Sequence, residues 1–370
     1  MMGVTSATAH DGTPVVVRPG RYRQFPSGHR RFALVVEQGA ADSFQVEAAA
    51  GGSPYEECRT VVAAPGHTLA DLLRTELPDD CDVLVVAAAD ALLSAPPAAV
   101  GPGRTVATVR AGGEGPAGVR ARALLAALEQ SDPGDLRCRA EELASAVDGA
   151  AGLRVDDPLT GATAVLSYAS PTWSEWDAGF FRPGSALPAP TGRLRLAAGA
   201  AATGSGLDGQ VTVKGRPVVR ARDARAGSAQ QVYERLTGLF HYPLVLSVDH
   251  GTVTGLKAAA AGSAAAGAEL ERLFALHPGH ALAGALEFGL NTAVAAQPFN
   301  TEANAAATGR ATASAHLVLG SLGHTPYELA LPLSTSTVGA LGTGTPLAGA
   351  GTDPAGDRAR RHQVAVPVTG

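Results

Sequence analysis

Apolar residues along the chain fall into short runs separated by Gly, Pro and charge. Phe32–Val36, Thr60–Ala64 and Asp82–Ala89 read as strands. The last is continuously apolar, which fits a strand covered on both faces. Between them, His67–Leu77 carries Leu69, Leu72, Leu73 and Leu77 at helical spacing, and Thr105–Val109 is a further strand. Strands alternating with helices predict a parallel sheet. Two helices follow, Gly118–Gln130 and Asp135–Val147. The second has a Leu136, Ala140, Leu143, Val147 stripe and stop signals at Gly149 and Gly152.

Beyond residue 150 the rhythm changes. Leu153–Val155 and Ala162–Tyr168 predict strands around a Pro158–Gly161 turn, followed by Gln210–Val213 and Val218–Ala221. Leu244–Val248 and Val253–Leu256 flank Asp249-His250-Gly251, a hairpin signature. A helix carrying Leu270, Leu273, Phe274 and Leu276 comes next, then strands at Ala313–Leu319 and Glu328–Leu333. The pattern divides the chain into a polar extension or edge strand (1–30), a parallel-sheet α/β domain (31–150) and a strand-rich mixed α/β domain (151–338). A Gly/Thr/Ala/Pro-rich tail (339–370) closes it, with His362–Val368 as a last candidate strand.

Composition narrows the functional classes. Of 370 residues 45% are hydrophobic but only 5% aromatic, so the cores must be built from Ala, Val and Leu. Net charge is −5, and Lys occurs only at positions 214 and 257, which argues against nucleic acid as a partner. High Ala, Gly, Pro and Arg fit a GC-rich bacterial source. Cys58, Cys81 and Cys138 have neither disulfide-framework nor zinc-knuckle spacing, which fits a reducing cytoplasm. No signal peptide and no membrane span are expected.

Most apparent motifs dissolve on inspection. Gly342–Gly349 lacks the Lys-Ser/Thr ending of a phosphate loop, and His277-Pro-Gly-His280 reads as a turn after a helix. Two segments remain. Gly284-Ala-Leu-Glu-Phe-Gly-Leu-Asn291 and the stretch from Asn304 to Gly320, containing His316, would gather a carboxylate, amides and an imidazole in one domain. The plainer alternative makes Glu287 and His316 hydrogen-bonding residues of the surface or core.

These segments resemble the aminopeptidase T family of bacterial metallo-aminopeptidases. That family joins an α/β N-terminal domain to a C-terminal domain with a two-metal site. Gly284, Leu286, Gly289 and Asn291 match its Gly-Glu-…-Gly-x-Asn motif. Asn304, Arg310, His316, Leu319 and Gly320 match the later one. Pro158–Gly161 and Leu187–Gly192 resemble two earlier motifs. The resemblance spans residues 135–335 and implies an aminopeptidase-T-like second domain. The metal set it implies is broken, however. Arg193 and Ala285 stand at two ligand glutamates, Gly323 at the ligand tyrosine (with His324 and Tyr327 nearby), and Ser334-Thr335-Ser336 at the His-x-Asp pair.

Two divalent ions need several anionic ligands. A guanidinium about 4 Å from a dication, at an effective dielectric of ~20, costs about 8 kcal/mol. The expectation is therefore a metal-free peptide- or amino-acid-binding protein, with Arg193 meeting a ligand carboxylate and Glu287 an amine. Asn291, Asn304 and His316 would complete the site. Divergent members of such folds serve as substrate-presenting partners in peptide natural-product pathways. The alternative is a metalloenzyme with Fe, Zn or Mn: an aminopeptidase, or an enzyme similar to the dihydroxypyridine ring-cleaving dioxygenases. In that case Glu287, His316 and His324 would be ligands. A homodimer is implied by the resemblance alone.

Overall fold

The computed structural model describes residues 13–26, 28–47, 53–111, 117–198, 206–222, 226–295, 297, 303–307 and 314–349. The chain forms two compact units. One comprises residues 1–126 and 182–187, the other 127–181 and 188–370. The expected boundary near 150 therefore moves upstream. The sequence pattern puts Asp135–Val147 in the first domain, whereas Leu136, Ala140, Leu143 and Val147 are buried in the core of the second unit.

In the first unit, β1 (Val15–Val17) pairs in parallel with β3 (Phe44–Val46), so the N-terminal stretch does contain a strand. The main sheet is built from β2 (Arg31–Glu37), β4 (Glu57–Ala63), β5 (Cys81–Ala87) and β6 (Thr105–Arg110). These run parallel in the order β6-β5-β2-β4, and the segment Ala186–Pro188 is hydrogen-bonded beside β6. Every residue of β5 is buried, as its unbroken apolar run requires. Helix α1 (Leu69–Thr75) starts in a reciprocal capping box between Thr68 and Asp71. It buries Leu69, Leu72 and Leu73. The short α2 (Asp90–Leu93) and α3 (Pro97–Val100) follow β5, and α4 (Ala117–Gln130) follows β6.

The second unit opens with α5 (Pro133–Asp148), whose first N–H groups donate to the Asp132 side chain. Its chain order continues β7 (Gly152–Asp156), β8 (Thr163–Ser167), β9 (Trp173–Asp177), β10 (the Ala186–Pro188 segment, whose first two residues belong to the first unit), β11 (Arg193–Ala197), β12 (Gly206–Val213) and β13 (Val218–Ala221). After α6 (Ala226–Arg235) come β14 (Leu244–Asp249), β15 (Thr252–Ala258), α7 (Ala264–Leu276), β16 (Ala283–Gly289), α8 (Ala303–Ala306), β17 (Ser314–Leu319), β18 (Tyr327–Pro332), β19 (Thr337–Ala340) and β20 (Pro346–Gly349). These make two antiparallel sheets, ordered β15-β14-β12-β8-β7-β19-β20 and β13-β18-β17-β16-β11-β9. One face of each contributes to a single apolar core. Leu153, Leu166, Leu207 and Val211 come from the first sheet; Leu194, Leu196, Leu286, Phe288, Leu317 and Leu331 come from the second.

Local chemistry explains the turns. His250 (φ 46°) and Gly251 (φ 75°) both take left-handed backbone between β14 and β15, the requirement of a primed hairpin turn. Asp157 holds the Pro158–Gly161 turn by accepting from the Thr160 N–H and hydroxyl. It also accepts from Thr335 and Ser336. Burial pushes its carboxyl up, but those hydrogen bonds outweigh it and hold the pKa below the usual value. Residues 337–349, expected to lie mostly in a tail, instead form the β19–β20 hairpin, with Val338 and Ala348 fully buried. His362–Val368 lies outside the described residues. Among the described residues no helix is long and apolar enough to cross a membrane.

Candidate functional site

The six-stranded sheet buries Leu194, Leu286, Phe288, Leu317 and Leu329 on its core face. Because side chains alternate along a strand, the intervening positions point the other way. Those positions are charged. Register aligns Glu175 on β9 with Arg195 on β11, Arg195 with Glu287 on β16, and Glu287 with His316 on β17. Glu328 on β18 is opposite Arg220 on β13. Arg193, two residues before Arg195, shares its face. Ala285, at the position where the resemblance puts a glutamate, shares the face of Glu287. It packs with Val218, Val318, Ala330 and Ala305 in a small apolar cluster.

The result is a row in which three guanidiniums meet the carboxylates of Glu175, Glu287 and Glu328 beside the His316 imidazole, with buried Asp177 opposite Arg193 in the β9–β11 register. Arg195 Nε donates to Glu287 Oε2 at 2.5 Å, and its Nη2 donates to Glu328 Oε1 at 2.6 Å. Arg220 Nη1 donates to Glu328 Oε1 at 2.9 Å, and its Nη2 lies 3.6 Å from Glu287 Oε2. Arg193 donates to Glu175 Oε1 and lies 4.0 Å from Glu287 Oε2. Glu175 Oε2 is also 3.3 Å from Arg195 Nε. The side chains of Arg193, Arg195 and Arg220 are 8%, 14% and 10% exposed, Glu287 is 0% exposed, and Glu175 is the most open at 31%.

Burial of this degree is tolerated because each guanidinium is paired with carboxylates of the row. Burial alone would raise the Glu287 pKa, but Arg220, Arg193 and Arg195 outweigh it and hold it at about 2. For His316, burial is the largest cause of a pKa depressed to about 4. Glu287 opposes that shift and the three arginines add to it, so the imidazole is neutral. Burial lowers the Arg195 pKa, but Glu287 and Glu328 more than reverse it and lock its charge. Glu287 Oε1 and His316 Nδ1 are buried without a hydrogen-bond partner among the described residues.

The structure brings Arg193, Glu287 and His316 together on one sheet face, where Arg193 was expected to face a ligand. It is instead engaged by Glu175. Glu287, expected to receive an amine, is surrounded by guanidiniums. Asn291 is committed elsewhere: its amide donates to Ser131 Oγ and the Thr191 carbonyl, and its oxygen accepts from the Ala293 N–H. Asn304 Oδ1 accepts from the Gln297 N–H at 2.6 Å. Gly192 explains how this corner closes. Its φ is +119°, and a Cβ there would lie 2.9 Å from the Asn291 Cβ, so glycine lets β11 enter against the end of β16.

The proposed metal triad is not assembled. His324 is exposed in the turn after β17, four residues beyond the end of that strand's Leu319–Gly320 corner. Two donors, Glu287 and His316, do not make the three-ligand set that a single non-haem metal needs. Among the described residues, the group with converging donor atoms is Asp208, Asp249 and His250 at the exposed β14–β15 turn. Among the described residues, the three guanidiniums around Glu287 oppose a dication there.

Glu175, Arg195, Arg220 and Glu328 were missed. The signal was present: Arg193-Leu-Arg195-Leu is a period-2 alternation, and Trp173-Ser-Glu-Trp-Asp contains another charged inner position.

No protein-family model matches this sequence, and no curated protein matches it. Among solved structures, the fold is similar to a 2,5-dihydroxypyridine dioxygenase from Pseudomonas putida KT2440. The TM-score is 0.51 at 13% identity, over 86% of this chain and 90% of that one. AmpT from Thermus thermophilus also aligns, with TM-score 0.45 and 14% identity over 87% of this chain and 93% of that one. At these identities the likeness concerns the fold.

Proposed function

We propose that this chain is a metal-free binding protein built on a metalloenzyme-like fold, and that its charged row receives the carboxylate of an amino acid or short peptide. The observation that carries this reading is Arg193, Arg195 and Arg220 gathered on one sheet face around a fully buried Glu287. A dication about 4 Å from even one of these guanidiniums would be repelled by about 8 kcal/mol at an effective dielectric of ~20. A planar carboxylate suits the same groups, because guanidinium binds it through two parallel N–H donors. The amine of the ligand falls to a carboxylate of the row, and the role is that of presenting a peptide or amino acid to an enzyme partner.

Calorimetry with short peptides tests the reading. Arg193→Ala is expected to weaken binding at least about tenfold, the loss of roughly 1.4 kcal/mol. Equal affinity in both proteins would remove Arg193 from the site.

A metalloenzyme is the second reading, favoured by one observation: Glu287 Oε1 and His316 Nδ1 are unpartnered and opposite each other in the ladder. Elemental analysis of purified protein decides, since stoichiometric iron, zinc or manganese would exclude the metal-free reading.

A further inference from the structure

We infer that His280 is an acid-released latch: its neutral imidazole ties the end of α7 to the first residue of β18, and protonation of the ring cuts that tie beside Glu328 of the charged row. This goes beyond the reading of the row as a receptor and stands whatever the row binds.

His280 lies in the short 3-10 turn Pro278–Ala281 that follows α7, and it is fully buried. Both ring nitrogens are used. Nδ1 is 2.8 Å from the Leu273 carbonyl oxygen, near the end of α7. Nε2 accepts from the Tyr327 N–H at 3.3 Å. A carbonyl only accepts and an amide N–H only donates, so the partners fix the tautomer: Nδ1 carries the proton and Nε2 is bare. The tie stands in for a ladder bond. The β17–β18 register reaches only as far as Leu319 opposite Leu329, so Tyr327 lies beyond the last paired residue of β17 and is held in the ladder by Ala221 of β13. At Gly320 the chain turns with φ +75°, and a Cβ there would lie 3.4 Å from the His280 Cδ2, so glycine leaves the ring its place.

A second proton on the ring has no acceptor. The Nε2–H of an imidazolium would point at the Tyr327 N–H, donor against donor, in a buried place. The titratable and charged groups around the ring are His277, whose centroid is 5.8 Å away, Arg272 on α7, itself bound by Glu269, and Tyr327, whose ring stacks on it at 6.0 Å. His324, in the turn before β18, is exposed. Gly320 and Thr325 beside that turn, and Thr252 of β15, which bridges to Leu282, are uncharged. Burial lowers the His280 pKa below the ordinary 6.5. The Leu273 carbonyl opposes that shift, and His277 and Arg272 add to it. The closed latch therefore holds fewer protons than the open one. Opening becomes easier as pH falls below 6.5, by up to about tenfold per pH unit, until the closed form is protonated too. The residue released is Tyr327. Its neighbour Glu328 hydrogen-bonds Arg195 and Arg220, so His280 is a positioning residue for one acid of the row.

The test uses the full chain as wild type, His280→Gln and His280→Ala. Amide exchange is read at Tyr327 as a protection factor, relative to Leu317 of β17, between pH 7.5 and 5. The wild type is expected to lose about tenfold in relative protection across that range. His280→Gln keeps an acceptor that cannot titrate, so its relative protection should stay level, and His280→Ala should start low at every pH. Nitrogen NMR of the wild-type ring needs no substitution and should show Nδ1 protonated and Nε2 bare at pH 7. A level profile at Tyr327 in the wild type would overturn the inference. So would an equal slope in folded His280→Gln, or a ring protonated at Nε2 at pH 7. If neither variant folds, the wild-type profile and the nitrogen spectrum decide between them. Failure of every peptide to bind, with the Tyr327 slope intact, sinks the receptor reading and leaves the latch.

Discussion

Both units bury guanidinium, but among different acceptors. In the first, Arg104 is 5% exposed and bonds mainly backbone oxygens, with one ion pair at 2.7 Å to the exposed Asp79. It donates to the carbonyls of Leu73, Leu77 and Pro78 around the end of α1, and to Ala99 and Val100 in α3. These are helix-terminal acceptors that would otherwise lack partners, and the cation complements the helix dipole there. In the second, Arg193, Arg195 and Arg220 meet side-chain carboxylates drawn from β9, β16 and β18. A backbone carbonyl cannot be titrated or exchanged for a solute. A side-chain carboxylate can be both. Arg104, held by five carbonyls and only one exposed carboxylate, is therefore mainly a clamp, whereas the row in the second unit is held by side-chain carboxylates.

The sharpest way to break that contrast is to remove one charge from each site. Glu287→Ala removes the fully buried carboxylate that all three arginines approach and is expected to cost about 3–5 kcal/mol in denaturant unfolding. A loss below about 1 kcal/mol would mean that the row is loosely coupled. Arg104→Ala orphans carbonyls without stranding a charge, so a smaller loss of about 1–3 kcal/mol is expected in the same measurement.

Acidity gives the finest discrimination. His316 has its pKa depressed from 6.5 to about 4, so the unfolded chain takes up a proton that the folded one refuses. Stability is thus lost as pH falls from 6.5 to 4, by at most about 1.4 kcal/mol per pH unit for this group. Glu287, ionised down to about 2, adds a further loss as pH falls below 4.5, because the unfolded carboxyl protonates first. Melting temperature across pH should show both limbs. In His316→Gln the limb between 6.5 and 4 should flatten while the lower one remains.

The parallel sheet was legible because each of its central strands announces itself locally. β5 is an uninterrupted apolar run, and α1 follows a Thr-x-x-Asp cap. The β14–β15 hairpin was legible for the same reason. By contrast, β11 reads Arg-Leu-Arg-Leu-Ala, and nothing local says that the arginines point inward. Their acceptors lie 18, 92 and 133 residues away. Charged residues are ordinarily surface residues, so only the assembled sheet reveals the row. The β19–β20 hairpin was hidden differently. Its Gly and Thr content has the composition of a linker, and its strand character comes from pairing Val338 with Val155 and Ala348. At the site, the arginine standing for a glutamate drew attention to Arg193 and Glu287, which the sheet brings together, whereas Asn291 and Asn304 bond to loop groups.

The chain has two tryptophans, Trp173 and Trp176, and both lie on β9 on either side of Glu175, their rings 5.8 Å apart. Indole emission from this protein is therefore a report from one sheet edge. The first unit is silent at those wavelengths, and any rearrangement around Glu175 has an optical signature already built into the strand that carries it.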